Sequence, residues 1–502
     1  MGIPSFYRQV CRRFPRIVSS VITPAQWLCL DFNCAMYHVL RLQPPWSPET
    51  GASWEREFCA AIADYMEEIV RIGRPSHGVY ISCDGVVCAA KRRQQRLRRF
   101  KGPWFSAATA FVEGKGVSDP NSSWDQNALT PGSAFMAKLG VTLKEAGAAL
   151  AARLGLAVVV STTSEPGEGE HKLLAHMRVL RPASCMIYGL DADLILLSML
   201  LHQETGAAVS LLREAQEFEK ATSTTNPEWR TLNVPGLAQA LGLSTLQIPS
   251  FVAAMSLLGN DFLPRSLTRT VRDDGIPTLI GCLSCLPSLI ADDGSLRLEG
   301  FRALINGWAA TEEADMLATV KKALRERDRH YPTDVDRWNA TPALRCGLAA
   351  LLDTTGHLRD NWRDIYRSWS PAKEAPADYC AGLAWTWDYY RGCPVDQGWF
   401  FEPHLPPLWS DIATYLASAT EIKPPPLLYP EPLPEWLHLL AVLPAASVER
   451  LLPENARLMN EAPWYWPTRW SLFDIGRSQM WECEPVLPIL PDATLRKLLC
   501  SL

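Results

Sequence analysis

No uninterrupted apolar run in this chain reaches the roughly 18 residues needed to cross a bilayer, so the sequence offers no membrane-spanning helix. The opening residues Met1-Gly-Ile-Pro-Ser-Phe6 lack the apolar core of a secretory leader, and Phe6 stands where N-myristoylation wants Ser or Thr. The expectation is a protein neither secreted nor membrane-bound. Net positive charge is also missing: 49 Lys and Arg against 54 Asp and Glu leave a formal charge of -5. Any contact with nucleic acid must therefore come from a local basic patch. Cysteine is plentiful at 14, yet the one CxxC, Cys282 to Cys285, has no second pair at zinc-site spacing. The cysteines read as reduced thiols packed as small hydrophobes, which fits a reducing compartment. Internal repeats and a low-complexity tail are absent too.

What the chain does have is size and apolar content. Its 502 residues, 47% hydrophobic, can bury a large core. From residue 1 to about 310, short apolar runs alternate with helical patterns such as Trp54 to Ile72 and Leu143 to Leu154. Continuous apolar strands separated by helices predict an α/β fold, a mostly parallel sheet covered on both faces. Residues 101–131 lack sustained periodicity and read as a long loop or insertion. Beyond about 310 the character turns to helical segments between Trp- and Pro-rich stretches.

Carboxylates recur at one place in this pattern. Asp31 follows the run Trp27-Leu-Cys-Leu30 and Asp84 follows Val79-Tyr-Ile-Ser-Cys83. Glu168 and Glu170, then Asp191 and Asp193, form pairs behind two further apolar runs, and Asp261 follows a helical pattern beginning near Ile248. Any one of them is explicable as a helix cap or a solvated turn. Together they fall beyond the carboxyl ends of successive buried strands, where ligands bind in such sheets. Several like charges in one pocket must take up protons or bind cations, and hard oxygen ligands favour Mg²⁺ or Mn²⁺. Two such ions suit phosphodiester hydrolysis.

Directly after Asp84, Lys91 to Lys101 carries seven cations in eleven residues. On a helix Lys91, Gln95, Arg98 and Arg99 share one face, a set able to grip a phosphate, Arg by paired hydrogen bonds and Lys as a point charge. Arg92 and Arg96 point elsewhere and are free to follow a nucleic-acid backbone. The alternative is a solvated basic helix or a nuclear-localisation signal.

These segments resemble the Xrn family of 5′→3′ exoribonucleases in order and spacing: Met1-Gly-Ile-Pro-Ser-Phe6, Leu30-Asp-Phe-Asn33, Gln94-Gln-Arg-Leu-Arg-Arg-Phe100, Pro166-Gly-Glu-Gly-Glu-His-Lys172, Tyr188-Gly-Leu-Asp-Ala-Asp193 and Gly259-Asn-Asp-Phe-Leu-Pro264. The likeness continues through Tyr389-Tyr-Arg-Gly392, Gly398-Trp-Phe-Phe401, Leu439 to Pro444 and Trp481 to Pro488. It implies a PIN/FEN-like nuclease core over residues 1–310, with a mainly helical second region, 311–502, packed against it to complete the cleft. It also implies that Asp31, Asp84, Glu168, Glu170, Asp191, Asp193 and Asp261 are the catalytic, metal-binding acids, holding two Mg²⁺ or Mn²⁺ ions. Lys91, Gln95, Arg98 and Arg99 would form a 5′-monophosphate pocket too tight for a cap or triphosphate. Family members stack the first bases between a His six residues beyond the first Asp and a Trp of the second region. Here that offset holds Tyr37, with His38 next along, and Trp399 is the corresponding Trp. The implied protein is a monomeric, cytoplasmic, compact member without the long C-terminal extension, acting on single-stranded RNA with a 5′-monophosphate.

Two rival readings remain at this level. A flap-type nuclease acting on DNA shares the acidic pocket, but it usually follows the last acid with a glycine-rich helix-hairpin, and Asp261 is followed by Phe-Leu-Pro-Arg-Ser-Leu-Thr-Arg-Thr. A catalytically inactive scaffold binding RNA 5′ ends would have lost acids, and none is missing.

Overall fold

The computed structural model describes residues 3, 5–116, 122–215, 228–327, 329–371 and 375–500. Strands β1 (Val18–Ser19), β2 (Trp27–Asp31), β3 (Gly78–Ser82), β4 (Ala157–Ser161), β5 (Ser184–Tyr188), β6 (Ala208–Glu214) and β7 (Trp229–Asn233) form one sheet, in the order β1-β7-β6-β5-β2-β3-β4. The five strands from β6 to β4 are parallel; β7 pairs antiparallel with β6 and with β1. The chain builds outward from β2 to β4 on one side, then crosses back to lay β5 and β6 on the other. The reversal falls between β2 and β5, and there the connections leave in opposite directions and open a crevice at the carboxyl ends.

The central strands are apolar because neither face meets water. Trp27, Cys29, Tyr80, Cys185 and Ile187 enter one core, while Leu28, Leu30, Val79, Ile81, Met186 and Tyr188 enter the other, the two-residue alternation of a pleated strand. Helices α1 (Phe6–Arg13), α2 (Asn33–Leu40), α3 (Gly51–Gly73), α4 (Ala89–Val112), α5 (Ala134–Leu154), α6 (Gly169–Leu180) and α7 (Asp193–Thr205) belong to this part of the chain. The mostly parallel, helix-flanked sheet is the architecture that the sequence predicts. Residue 310 lies within the helix Leu298–Arg327, and one apolar core joins Ile187 of the sheet to Trp308, Leu383, Trp385 and Trp409.

The stretch 101–131 departs from the expected loop. Helix α4 continues through Pro103 to Val112, because its far half is gripped from outside. Trp104 and Phe105 pack on Trp338, Trp104 also meets Trp470 edge-on, and Lys101 Nζ donates to the carbonyls of Trp481 and Cys483 at 2.8 Å each. Those contacts outweigh the lost backbone bond and the low helix propensity of Gly102 and Pro103. Residues 117–121 lie outside the described residues.

Arg92 and Arg96 are likewise not free to follow a nucleic acid. Arg92 forms a buried ion pair with Asp492, and Arg96, 1% exposed, donates to the carbonyls of Ala441 and Tyr465. The Arg96 guanidinium also stands 3.9 Å from the Tyr465 ring centroid and 4.5 Å from that of Phe100, a cation–π arrangement on both sides. These two arginines rivet α4 to the C-terminal helices. Arg96→Met is expected to destabilise the protein by about 2–4 kcal/mol, since it leaves the buried Tyr465 carbonyl without its donor, leaves the Ala441 carbonyl with the Tyr465 hydroxyl alone, and removes both ring contacts. Urea unfolding measures this, and a midpoint equal to that of the parent protein would refute it.

Candidate active site

Backbone hydrogen bonds carry the sheet register past the last strand residues and so align the acids. Phe32 N donates to Ser82 O at 2.9 Å, Cys83 N to Ser161 O at 2.9 Å, and Gly189 N to Leu212 O at 3.2 Å. The segment after β3 is clamped to the one after β4: Gly85 N donates to Gly167 O and Gly167 N to Val86 O, both at 2.8 Å. The approach is so close that a Cβ at Gly85 would lie 1.9 Å from the Glu165 carbonyl oxygen, so only glycine fits. Asp84 then spans the gap, its Oδ1 accepting from Gly169 N at 2.8 Å while its own N–H donates to Asn33 Oδ1 at 3.1 Å.

Six of the seven predicted acids, Asp31, Asp84, Glu168, Glu170, Asp191 and Asp261, line one cavity of about 140 Å³. The seventh, Asp193, begins α7 and is buried at 2% exposure, outside the cavity wall. Lys91, Gln95, Arg98 and Arg99 line the same cavity from α4, so the acidic and basic motifs share one chamber. Gln95 Oε1 accepts from Arg99 Nη1 at 3.2 Å, and Arg99 Nη2 donates to Thr130 Oγ1 at 2.9 Å, which fixes that guanidinium. Arg98 is exposed and makes no hydrogen bond or ion pair among the described residues. Burial, with Arg98 alongside, lowers Arg99 to about 10, still cationic at neutral pH.

Of the three rings expected to stack on bases, Tyr37 lines the cavity. His38 and Trp399 do not. His38 stacks on Tyr65 with centroids 4.8 Å apart, and Trp399 packs on Trp385 at 5.0 Å.

The electrostatics turn on Lys91. Its ammonium lies 2.5 Å from Glu168 Oε2 and 2.8 Å from Asp261 Oδ2, so one positive charge already sits among the carboxylates. It is not enough. Burial, and then the neighbouring Asp84, Asp191 and Asp193, push Asp31 well above the usual carboxylate range. Burial with Asp193 and Glu168 does the same to Glu170. Burial, against the opposing pull of Lys91 and with Asp261 and Asp191 adding repulsion, raises Asp193 to about 7. Glu170 and Asp193 lie in the first turns of α6 and α7, where the helix dipole favours negative charge, and burial still wins.

Two triads could each converge on one cation: Glu168 with Glu170 and His171, and Asp31 with Glu170 and Asp191, the ligand atoms of each lying within 4.8 Å of one another. A donor set dominated by carboxylate oxygens, short of positive charge, fits a hard divalent cation. Glu170 is common to both triads.

Sequence reasoning passed over several neighbours. Tyr389 donates its hydroxyl to Glu168 Oε1 at 2.7 Å, and the half-buried His171 ring packs 4.1 Å from Tyr389, its pKa lowered by desolvation and by Lys91 to about 3. Gln94 and Asn33 also line the cavity. The signal for the tyrosine lay in Tyr389-Tyr-Arg-Gly392, which marked a segment without saying what it touches.

Comparison with known proteins bears on this chamber. Residues 1–215 match the family model of the XRN 5′-3′ exonuclease N-terminus. The chain is 27% identical to 5′-3′ exoribonuclease 2 of Saccharomyces cerevisiae across 72% of its length and 44% of that protein. It is 30% identical to the Candida albicans 5′-3′ exoribonuclease 2, over 73% of this chain and 47% of that one. With human 5′-3′ exoribonuclease 1 the identity is 26%, over 99% of this chain and 34% of the relative. Residues 1–215 thus carry the Xrn N-terminal exonuclease domain, and the chain spans less than half the length of these curated relatives. Among solved structures, the catalytic core of Rad2 in complex with DNA substrate is similar at TM-score 0.32 and 14% identity, covering 73% of this chain and 94% of that one.

Because burial and neighbouring carboxylates raise Asp31, Glu170 and Asp193 above their unfolded values, the metal-free fold holds protons that the unfolded chain releases above about pH 4. Metal-free stability is thus expected to fall as pH rises through the range ending near the Asp193 value of about 7. A divalent cation binds the ionised set, so the rise in melting temperature on adding Mn²⁺ should be larger at about pH 8 than at about pH 5.5. Thermal scans in both buffers measure it, and equal shifts, or none, would count against a metal site.

Proposed function

We propose that the protein is a 5′→3′ exoribonuclease that hydrolyses single-stranded RNA bearing a 5′-monophosphate and releases nucleoside 5′-monophosphates one at a time. The observation that carries this reading is the shared chamber: carboxylates line one part of its wall and the basic face of α4 another. A cavity of about 140 Å³ with both walls suits two phosphates of one strand, the terminal one on the cations and the next among the acids.

In this reading Arg98, with no competing partner, and Arg99, held by Gln95 and Thr130, take the 5′-phosphate through paired charge-assisted hydrogen bonds. Lys91 adds a point charge between that phosphate and the acids. Tyr37 offers a ring to the first base. Asp31, Asp84, Glu168, Glu170, Asp191 and Asp261 would hold two Mg²⁺ or Mn²⁺ ions, with Asp193 adding negative charge from behind the wall. Bound divalent cations would acidify a water and offset charge on the leaving oxygen. Tyr389 keeps Glu168 turned inward, and Asp31, Glu168, Glu170 and Asp193 are buried. Each cut leaves a new 5′-phosphate that fits the same basic face, which makes the reaction processive. Residues 311–502 would complete the cleft.

Asp191→Ala or Glu168→Ala is expected to cut turnover of 5′-phosphorylated RNA at least ~10²-fold with binding largely retained. Arg98→Ala should reduce the preference for a 5′-phosphate over a 5′-hydroxyl about 10-fold, mainly through KM. Steady-state assays on matched RNA, DNA and flap substrates decide: full turnover in the acid variants, or cutting confined to flap junctions, rules the reading out.

A further inference from the structure

The acidic chamber shares part of its wall with a second cavity. Gln94, Arg98 and Asp261 line both, so the two meet along α4. The second cavity, about 230 Å³, is walled by Arg93, Arg98, Lys101, Arg265 and Arg477 against Asp261, Glu482 and Glu484, an excess of cations. Trp481 also lines it, 49% exposed. Lys101 is bound there by two carbonyl oxygens, which leave its charge uncancelled. The Arg272 guanidinium lies 5.6 Å from the centroid of the indole, and about half of the Trp481 side chain stays open to solvent beside these cations.

The path continues. Arg265 and Arg477 also line a third cavity, which includes Arg272. Arg272 in turn lines an open groove with Arg8, Arg12 and Arg230, in which no Asp or Glu is among the described lining residues. Each junction from the acids outward is therefore marked by at least one arginine. A basic groove punctuated by an aromatic ring is how proteins hold single strands without reading their sequence: cations follow the phosphates and the ring takes a base.

We propose that these adjoining cavities form the bed of the RNA strand 3′ to the nucleotide being removed, with Trp481 stacking on a base and Arg265, Arg272 and Arg12 meeting successive phosphates. The assignment rests on the reading of the acidic chamber as the site that takes a 5′ end. A nucleotide in the second cavity has two sources, the strand itself or a released nucleoside 5′-monophosphate. The strand is favoured because a lone nucleotide has no use for arginines that run on through two further cavities.

Binding in EDTA, where hydrolysis is suppressed, tests this without requiring turnover. Fluorescence anisotropy on 5′-phosphorylated RNAs, from a dinucleotide to an icosamer, should show affinity of the parent protein climbing with length. Trp481→Ala should lose roughly 10-fold in affinity for the longer RNAs, with Trp481→Phe recovering most of it, and should change the dinucleotide little. Arg12→Glu, at an exposed position, should weaken only the longest RNA and flatten its salt dependence by about one charge. Equal loss at every length, or none, overturns the strand bed. So does loss in Trp481→Ala confined to free adenosine 5′-monophosphate, which would make the cavity a product site. Turnover of the parent protein with Mg²⁺ is measured in parallel. Length-dependent, Trp481-sensitive binding without turnover would refute the nuclease reading and leave the bed standing, whereas turnover with normal binding in both variants would refute the bed alone.

Discussion

Buried carboxylates that face one another cannot all ionise unless positive charge is placed among them. Everything at the carboxyl edge of this sheet answers to that constraint. The parallel strands bring Asp31, Asp84, the Glu168 and Glu170 pair and Asp191 to one level, and the crossover between β2 and β5 gives them a crevice to face. Lys91 supplies one charge, shared between Glu168 and Asp261, and leaves Asp31, Glu170 and Asp193 protonation-prone. The remaining deficit makes the chamber a receptor for hard cations, and the same deficit means that α4 must stand close by, since Lys91 is its residue.

The C-terminal region is therefore part of the site even though it gives the cavity wall no acid. Ala89 N, at the start of α4, donates to the Gln397 carbonyl at 2.7 Å, and Arg93 donates to the Glu402 carbonyl at 3.0 Å. Further along, Arg92 and Arg96 are fastened to Asp492, Ala441 and Tyr465. One face of the helix is consumed in holding it, and the face bearing Lys91, Gln95, Arg98 and Arg99 is turned to the chamber as a result. Tyr389 reaches the acids from the same region.

Much of this could be read from the sequence because it follows local rules. Apolar runs of strand length ending in acids, and cations spaced on one helical face, are visible one segment at a time. What could not be read was whatever depends on distant partners. Counting positions on α4 tells that Arg92 and Arg96 point away from the phosphate face, but it cannot tell that Tyr465 and Asp492 are waiting there. Gly102 and Pro103 weaken the local helix signal, and the indole of Trp338, more than two hundred residues on, restores the helix. His38 and Trp399 were picked by offset and motif, whereas Tyr65 and Trp385 take up their rings.

The phosphate face is half rigid and half loose, and the division has a physical consequence. Arg99 and Gln95 are buried and bonded to each other, and Arg99 also to Thr130, so the guanidinium is aimed before any ligand arrives and loses little entropy on binding. Arg98 is exposed and makes no hydrogen bond or ion pair among the described residues, so in the proposed function it is the group that orders when a phosphate enters. It is also the guanidinium that lines both the acidic chamber and the cavity beside it. In the proposed function a side chain at that junction takes each new 5′-phosphate in turn. Its freedom suits a group that must release one phosphate and take the next, whereas a residue locked as firmly as Arg96 would hold what it first bound.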